Sequence, residues 1–292
     1  MATVLPLIPP DSDAIDFERR FGGIARLYGE SALTSFKQAH VCVIGVGGVG
    51  SWAVEGLARS AIGKITMIDL DHLSESNVNR QLHALTDTLG KSKVDALAER
   101  IAQINPYCVV TRIEEFIDPD NVATLIQGGQ FDYVIDAIDN TRAKTALVVH
   151  CRANHIPLVT IGSAGGQVDP TRIAVCDLSR TEQEPLLARV RKRLRRLHGF
   201  PRGTKNKFGI DAVYSTEPVR HPELCSTDDE TNSEMNSEIN EGLNGLNCAG
   251  YGSAVVVTAS FGFVAAGLVL RKLAEQSHQS NQNKSTVSHS EV

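Results

Sequence analysis

Apolar residues along this chain gather into short runs separated by stretches of helical period. Val41–Ile44, Ile65–Ile68, Cys108–Ile113, Tyr133–Ile135 and Leu158–Ile161 have strand length, and their largely continuous apolar character suits strands covered on both faces. Between them the spacing predicts helices over Val49–Ala61, Ser92–Ile104, Asn121–Gln127 and Ala143–Asn154, with Asn140 and Thr141 as cap candidates for the last. A short helical pattern at Gly29–Gln38 precedes them, and Arg172–Cys176 is a further candidate strand. Strand alternating with helix predicts an α/β fold. The sheet is expected to be Rossmann-like, doubly wound and mainly parallel, with a C-terminal extension that carries a basic segment and an apolar helix.

Past Asp177 the periodicity weakens and the composition shifts. From Pro185 to Ile210 there is no acid, while Arg189, Arg191, Lys192, Arg193, Arg195, Arg196, Arg202, Lys205 and Lys207 crowd together. Such a segment is either a solvated helix face or a surface that tracks phosphates, since unrelieved positive charge repels itself unless a polyanion neutralises it. Ser226–Asn247 is acidic, polar and poor in large apolar residues, so a disordered loop is expected there. From Ala249 to Leu270 no residue is charged, which is long enough to cross a bilayer, but the glycines and serines in it equally suit a helix packed within protein or at a dimer interface. These shifts divide the chain into an N-terminal arm over 1–28, a nucleotide domain over 29–177, a part completing the fold over 178–274 with its basic segment at 189–207, and a disordered tail over 275–292.

Composition sets few further limits. The 292 residues, 42% hydrophobic and 22% charged, can bury a full core, and a net charge of -5 argues against wholesale nucleic-acid binding. Six cysteines form no C-x-x-C pair, which removes a thioredoxin-like motif and a four-cysteine zinc site and suits a reduced, cytoplasmic setting. The first residues lack the pattern of a secretory signal.

Gly45, Gly47 and Gly50 form G-x-G-x-x-G directly after a predicted strand, with Gly48 opening the turn further. Glycines there let backbone N–H groups approach phosphate, and the helix that follows offers its positive end to the anion. Asp69 ends the next strand, where a carboxylate can accept from ribose hydroxyls; NAD and ATP both fit this much. The segments DHLSESNVNRQL and LGKSKVDAL separate the two. Splitting a triphosphate needs fixed cations around developing charge, which hydride transfer does not, and Arg80 and Lys93 are candidates for that clamp, with Asn77 to orient a phosphate oxygen. Asp136 and Asp139 stand at the carboxyl end of a predicted strand, where a carboxylate can hold Mg2+ against phosphates. Each residue alone could be a salt bridge or a cap. Together they favour ATP.

The order G-x-G-G-x-G, Asp69, N-x-N-R-Q at Asn77–Gln81, Lys93 and D-x-x-D-N at Asp136–Asn140 resembles the ubiquitin-activating-enzyme-like superfamily, which takes in the ThiF, MoeB and HesA proteins. Within it, RFGGIARLYGE at Arg20–Glu30, NRQLHAL at Asn79–Leu85, SAGGQVDPT at Ser163–Thr171 and the terminal NCAGYGSAVVVTASFGFVAA resemble the tRNA threonylcarbamoyladenosine dehydratase family over nearly the whole chain. The resemblance implies that MgATP activates the carboxylate of a threonylcarbamoyl group on a tRNA adenosine, after which internal attack closes a ring with net loss of water. It further implies that Asp69 holds ribose, that Asn77, Arg80 and Lys93 hold phosphates, and that Asp139 holds Mg2+. A homodimer, RNA rather than DNA as partner, and a link to a cysteine desulfurase or sulfur-acceptor system also follow from it.

Two departures from the wider superfamily stand out. Gly23 occupies the place where many relatives carry an arginine that reaches a partner subunit's ATP, leaving Arg20 or Arg26 as substitutes, and the paired C-x-x-C zinc motifs of sulfur-carrier activators are missing. Cys248 is either a small buried hydrophobe or a thiol that forms a thioester. The alternative readings are an activator of a ubiquitin-like or sulfur-carrier protein, a scaffold that retains ATP, and an NAD-dependent oxidoreductase.

Overall fold

The computed structural model describes residues 3–5, 16–127, 130–203, 205–220 and 251–288. Among these residues eight strands form one sheet: β1 (Thr3–Leu5), β2 (His40–Ile44), β3 (Lys64–Ile68), β4 (Val109–Ile113), β5 (Tyr133–Asp136), β6 (Leu158–Ile161), β7 (Ile173–Asp177) and β8 (Asp211–Ser215). Their order is β1-β4-β3-β2-β5-β6-β8-β7. The six central strands run parallel, and only the edge pairs β1–β4 and β7–β8 are antiparallel.

Alternation along β2 shows how the sheet is covered. Val41 and Val43 face one core together with Val54 and Leu57 of α3 (Gly50–Arg59), Val94 and Leu97 of α4 (Lys93–Ile104), and Val257, Phe261 and Val269 of α8 (Val255–Ser288). Cys42 and Ile44 face the other, among Leu147 and Val148 of α6 (Thr141–Ala153) and Leu187, Val190 and Leu194 of α7 (Pro185–Leu197). A period of two thus feeds two hydrophobic cores from one strand, which is why its sequence reads as a continuous apolar run. The short α5 (Val122–Leu125) joins this second layer.

β1 and α1, β8, and the end of α8 differ from the sequence expectation. Within the expected N-terminal arm, α1 (Phe17–Tyr28) forms because Asp16 caps it and Phe21 and Ala25 are buried against Leu33 and Ala61. Gly29, at φ +93°, ends α1 and leads into α2 (Glu30–Gln38). β8 was hidden because only three apolar residues mark it, yet it is buried between β6 and β7. Where a disordered tail was expected from 275, α8 continues to Ser288: Leu273 and Ala274 are still packed, no glycine or proline follows, and extending an existing helix costs far less than starting one.

α8 is long and apolar enough over Val255–Gln279 to cross a membrane by length and composition, and half of its most apolar window is buried against the rest of the chain. It lies on α3 at close range. A side chain at Gly262 would bring its Cβ within 2.5 Å of the Val49 carbonyl oxygen. The expected disordered loop over 226–247 lies outside the described residues.

Candidate active site

The carboxyl ends of β2, β3, β5 and β6 and the loop after β4 enclose a cavity of about 780 Å³, the edge at which open α/β sheets hold ligands. Gly45, Gly47, Gly48, Asp69, Asn77, Arg80, Lys93 and Asp139 all line it. Gly50 instead opens α3 just behind, where a Cβ would lie 1.9 Å from the Gly45 carbonyl oxygen, so only glycine lets the turn close. The turn aims the N-terminus of a ten-residue helix into the cavity, whose first N–H groups have no partner within the helix.

Asp69 is buried, and its carboxylate holds the turn in place: Oδ2 accepts from the Val46 N–H at 2.8 Å and Oδ1 from the Asp71 N–H at 2.9 Å. Burial raises its pKa above the ordinary value, against the pull of Lys93 and these two N–H groups. Asn77 is buried too. Its Oδ1 accepts from the Ser74 N–H at 3.1 Å, which closes a capping box and fixes the amide at the cavity wall. Arg80 runs along the glycine turn, its Cγ 3.2 Å from where a Gly48 Cβ would stand, and its guanidinium folds back onto the Ser76 carbonyl at 2.7 Å and Asn79 Oδ1 at 3.0 Å. Lys93 opens α4 and donates through Nζ to Asp71 Oδ2 at 2.7 Å.

The two carboxylates of D-x-x-D-N have separate fates. Asp136 is fully buried, paired with Lys144 Nζ at 2.9 Å and accepting from the Thr160 hydroxyl at 2.7 Å and the Ile138 N–H at 3.1 Å, so it braces the loop and is closed to a metal. Asp139 is exposed at the cavity. One carboxylate is what Mg2+ takes from a protein when phosphates and waters supply its other oxygens, so Asp139 fits the role even though no group of three or more metal-ligating side chains occurs among the described residues. Next to it, Asn140 caps α6, as the sequence predicts, accepting from the Arg142 and Ala143 N–H groups.

The far wall, Gly162–Ala164 with Leu186, belongs to the β6 loop and the start of α7. Buried Glu184 ties them by accepting from the Ser163, Leu186 and Leu187 N–H groups, and burial raises its pKa. From this wall α7 carries the basic segment outward. Arg189, Lys192 and Arg196 are exposed, whereas Arg191 donates to the Thr181 hydroxyl, Arg195 lies over the Phe208 ring and Arg193 is half-buried. The six residues proposed from sequence therefore split evenly between an outward row and a packed one.

Arg20 is committed elsewhere, closing the end of α4 through the Gln103 and Ile104 carbonyls; Arg26 is exposed on α1 and does not line the cavity. Cys248 lies outside the described residues. His83 is buried, and burial lowers its pKa to about 3, so it is a neutral ring and no proton shuttle at physiological pH. Sequence reasoning missed Asp71, Glu184 and the loop Glu115–Asp120, and gave Gln81 no role beyond its place in N-x-N-R-Q, though all are at the cavity or brace it. Asp71, two residues beyond the strand-ending Asp69, could have been found from that spacing; Glu184, remote from every motif, could not.

The ThiF family model matches residues 21–290. The tRNA threonylcarbamoyladenosine dehydratase of Escherichia coli (strain K12) is 52% identical over 263 residues, covering 90% of this chain and 95% of that protein. Crystal structures of the E. coli enzyme, TcdA, in complex with ATP and with AMP each superpose with a TM-score of 0.78 at 48% identity. The ATP complex covers 90% of this chain and 97% of that one, the AMP complex 92% and 99%.

Proposed function

This chain belongs to the ThiF family and, within it, to the tRNA threonylcarbamoyladenosine dehydratases, and from that premise we propose that it converts N6-threonylcarbamoyladenosine in tRNA to its cyclic form at the expense of ATP. The observation that carries this reading is convergence: Arg80, Lys93 and Asp139, far apart in sequence, line one cavity with the glycine turn.

The chemistry divides into two steps. First, the threonylcarbamoyl carboxylate attacks the α-phosphorus of ATP, and the bond to pyrophosphate breaks. Then the ureido group attacks the acyl carbon, the bond to AMP breaks and a proton leaves, so the sum is loss of one water from the nucleoside. The turn and the α3 N-terminus hold the phosphates, and Asp69 faces the ribose. Arg80 and Lys93 meet charge as it builds on the phosphates and the departing pyrophosphate. Mg2+ held by Asp139 would neutralise phosphate charge. The β6 loop and the α7 N-terminus leave the opposite side for the acceptor, and the outward row Arg189, Lys192 and Arg196 runs from there as a track for RNA phosphates. The exposed apolar side chains Val256 and Phe263 on α8 support a homodimer built on that face. The reaction suits the cytoplasm, where tRNA and MgATP meet.

Incubation with MgATP and tRNA bearing threonylcarbamoyladenosine tests the reading. AMP and pyrophosphate should form together and only when that tRNA is present. Formation that instead requires a small carrier protein, with a thioester on Cys248, would establish the carrier-activating alternative.

A further inference from the structure

Lys93 meets the cavity already engaged. Its Nζ donates to Asp71 Oδ2 at 2.7 Å, and its backbone N–H donates to the Asp71 carbonyl oxygen at 3.1 Å. The Asp71 N–H donates to Asp69 Oδ1, and Asp69 Oδ2 accepts from the Val46 N–H of the glycine turn. One line of hydrogen bonds therefore joins the turn to the ammonium group. Along it, Lys93 is 7% exposed at its side chain and Asp71 is 52% exposed and lines the same cavity.

We propose that Asp71 is a positioning residue that restrains Lys93 against the resting triphosphate and releases its charge to the phosphates as the transition state forms. The proposal rests on the reading of the cavity as an ATP site. An ammonium that bound resting and reacting phosphates equally would tighten ATP binding without raising turnover, because only interactions that strengthen in the transition state accelerate the chemistry. A carboxylate at 2.7 Å offsets part of the attraction of Lys93 for bound ATP, and its own negative charge opposes the polyanion. The same pair fixes the direction of a long, flexible side chain, which keeps the cation aligned before charge develops.

These two effects have opposite signs. Removing the carboxylate should tighten ATP binding and slow turnover, a combination that deleting a merely structural hydrogen bond does not give.

The test uses Asp71→Asn in the full chain, with MgATP affinity measured by calorimetry and water loss from the tRNA nucleoside measured in single turnover. Affinity should rise several-fold while the rate falls about tenfold, Asp71→Glu should restore most of the rate, and Asp71→Asn should slow a Lys93→Ala background little further. Weaker ATP binding together with a lower rate would reduce Asp71 to a structural role, and unchanged affinity and rate would remove it from the site; either overturns the proposal while wild-type ATP binding leaves the site reading intact. A wild-type chain that binds no MgATP overturns both.

Discussion

The indole N–H of Trp52 donates to the backbone carbonyl oxygen of Arg80 at 3.0 Å. The Thr258 hydroxyl of α8 approaches the same oxygen at 3.5 Å, and Asn79 Nδ2 donates to the Ser253 carbonyl at 2.9 Å. The segment carrying Arg80 is therefore pinned between α3 and α8, so the apolar C-terminal helix braces the cavity wall as well as the core. Trp52→Phe keeps an aromatic ring and deletes the donor. Turnover should drop severalfold, with a loss of stability near ~1 kcal/mol. Steady-state kinetics beside denaturant titration checks both, and an unchanged rate would detach Trp52 from Arg80's alignment.

The fully buried Asp136–Lys144 pair should behave as a brace. Lys144→Met leaves a buried carboxylate without its cation and should cost about 3–5 kcal/mol, whereas Asp136→Asn combined with Lys144→Met should recover much of that loss. Denaturant midpoints of the two variants decide it. A double variant no more stable than Lys144→Met alone would mean that the charge pairing is not what Lys144 supplies.

Burial also gives His83 a pH signature. The folded ring stays neutral down to about 3 while the unfolded chain's histidine takes a proton near 6.5, so the unfolded state binds more protons throughout that window and stability falls as pH falls. By about pH 5 the cost reaches ~2 kcal/mol. His83→Gln should lose that much less stability than wild type between neutral pH and about pH 5. Parallel stability curves for the two proteins would contradict it.

Charge on α7 should separate into two jobs. Replacing exposed Arg189, Lys192 and Arg196 with glutamine should weaken tRNA binding, lower its salt slope by about one for each phosphate left without a cation, and leave the fold intact. Arg191→Gln should instead lower the melting temperature, since its guanidinium is bonded to the Thr181 hydroxyl. If the outward triple variant keeps the wild-type salt slope, the row does not track phosphates.

Much of the site was legible because its residues sit at strand ends, where a continuous apolar run breaks into a chemically specific residue: Gly45 after β2, Asp69 after β3, Asp136 and Asp139 at β5. Periodicity placed those ends, and motif order named the chemistry. The illegible part depends on side-chain partners distant in sequence. Asp136 and Asp139 look equivalent along the chain, and only Lys144 and Thr160 reveal that one is a brace and the other faces the cavity. Nor does a row of arginines declare which of them pack: Arg195 turns inward because Phe208 is there to receive it. α1 is hard to read because Phe21 and Ala25 are buried against Leu33 and Ala61, partners the local sequence does not reveal, and the end of α8 because it extends a helix whose last buried side chain among the described residues is Ala274.

The central claim is that this cavity spends ATP to remove water from a tRNA nucleoside, and mass spectrometry of the nucleosides after reaction with MgATP tests it most directly. Wild-type protein should convert threonylcarbamoyladenosine to a product lighter by one water, while Arg80→Ala and Lys93→Ala, folded and with unchanged melting temperatures, should do so at least about tenfold more slowly. A threonylcarbamoyladenosine peak that persists unchanged with folded wild-type protein, or alanine variants as fast as wild type, would contradict the account.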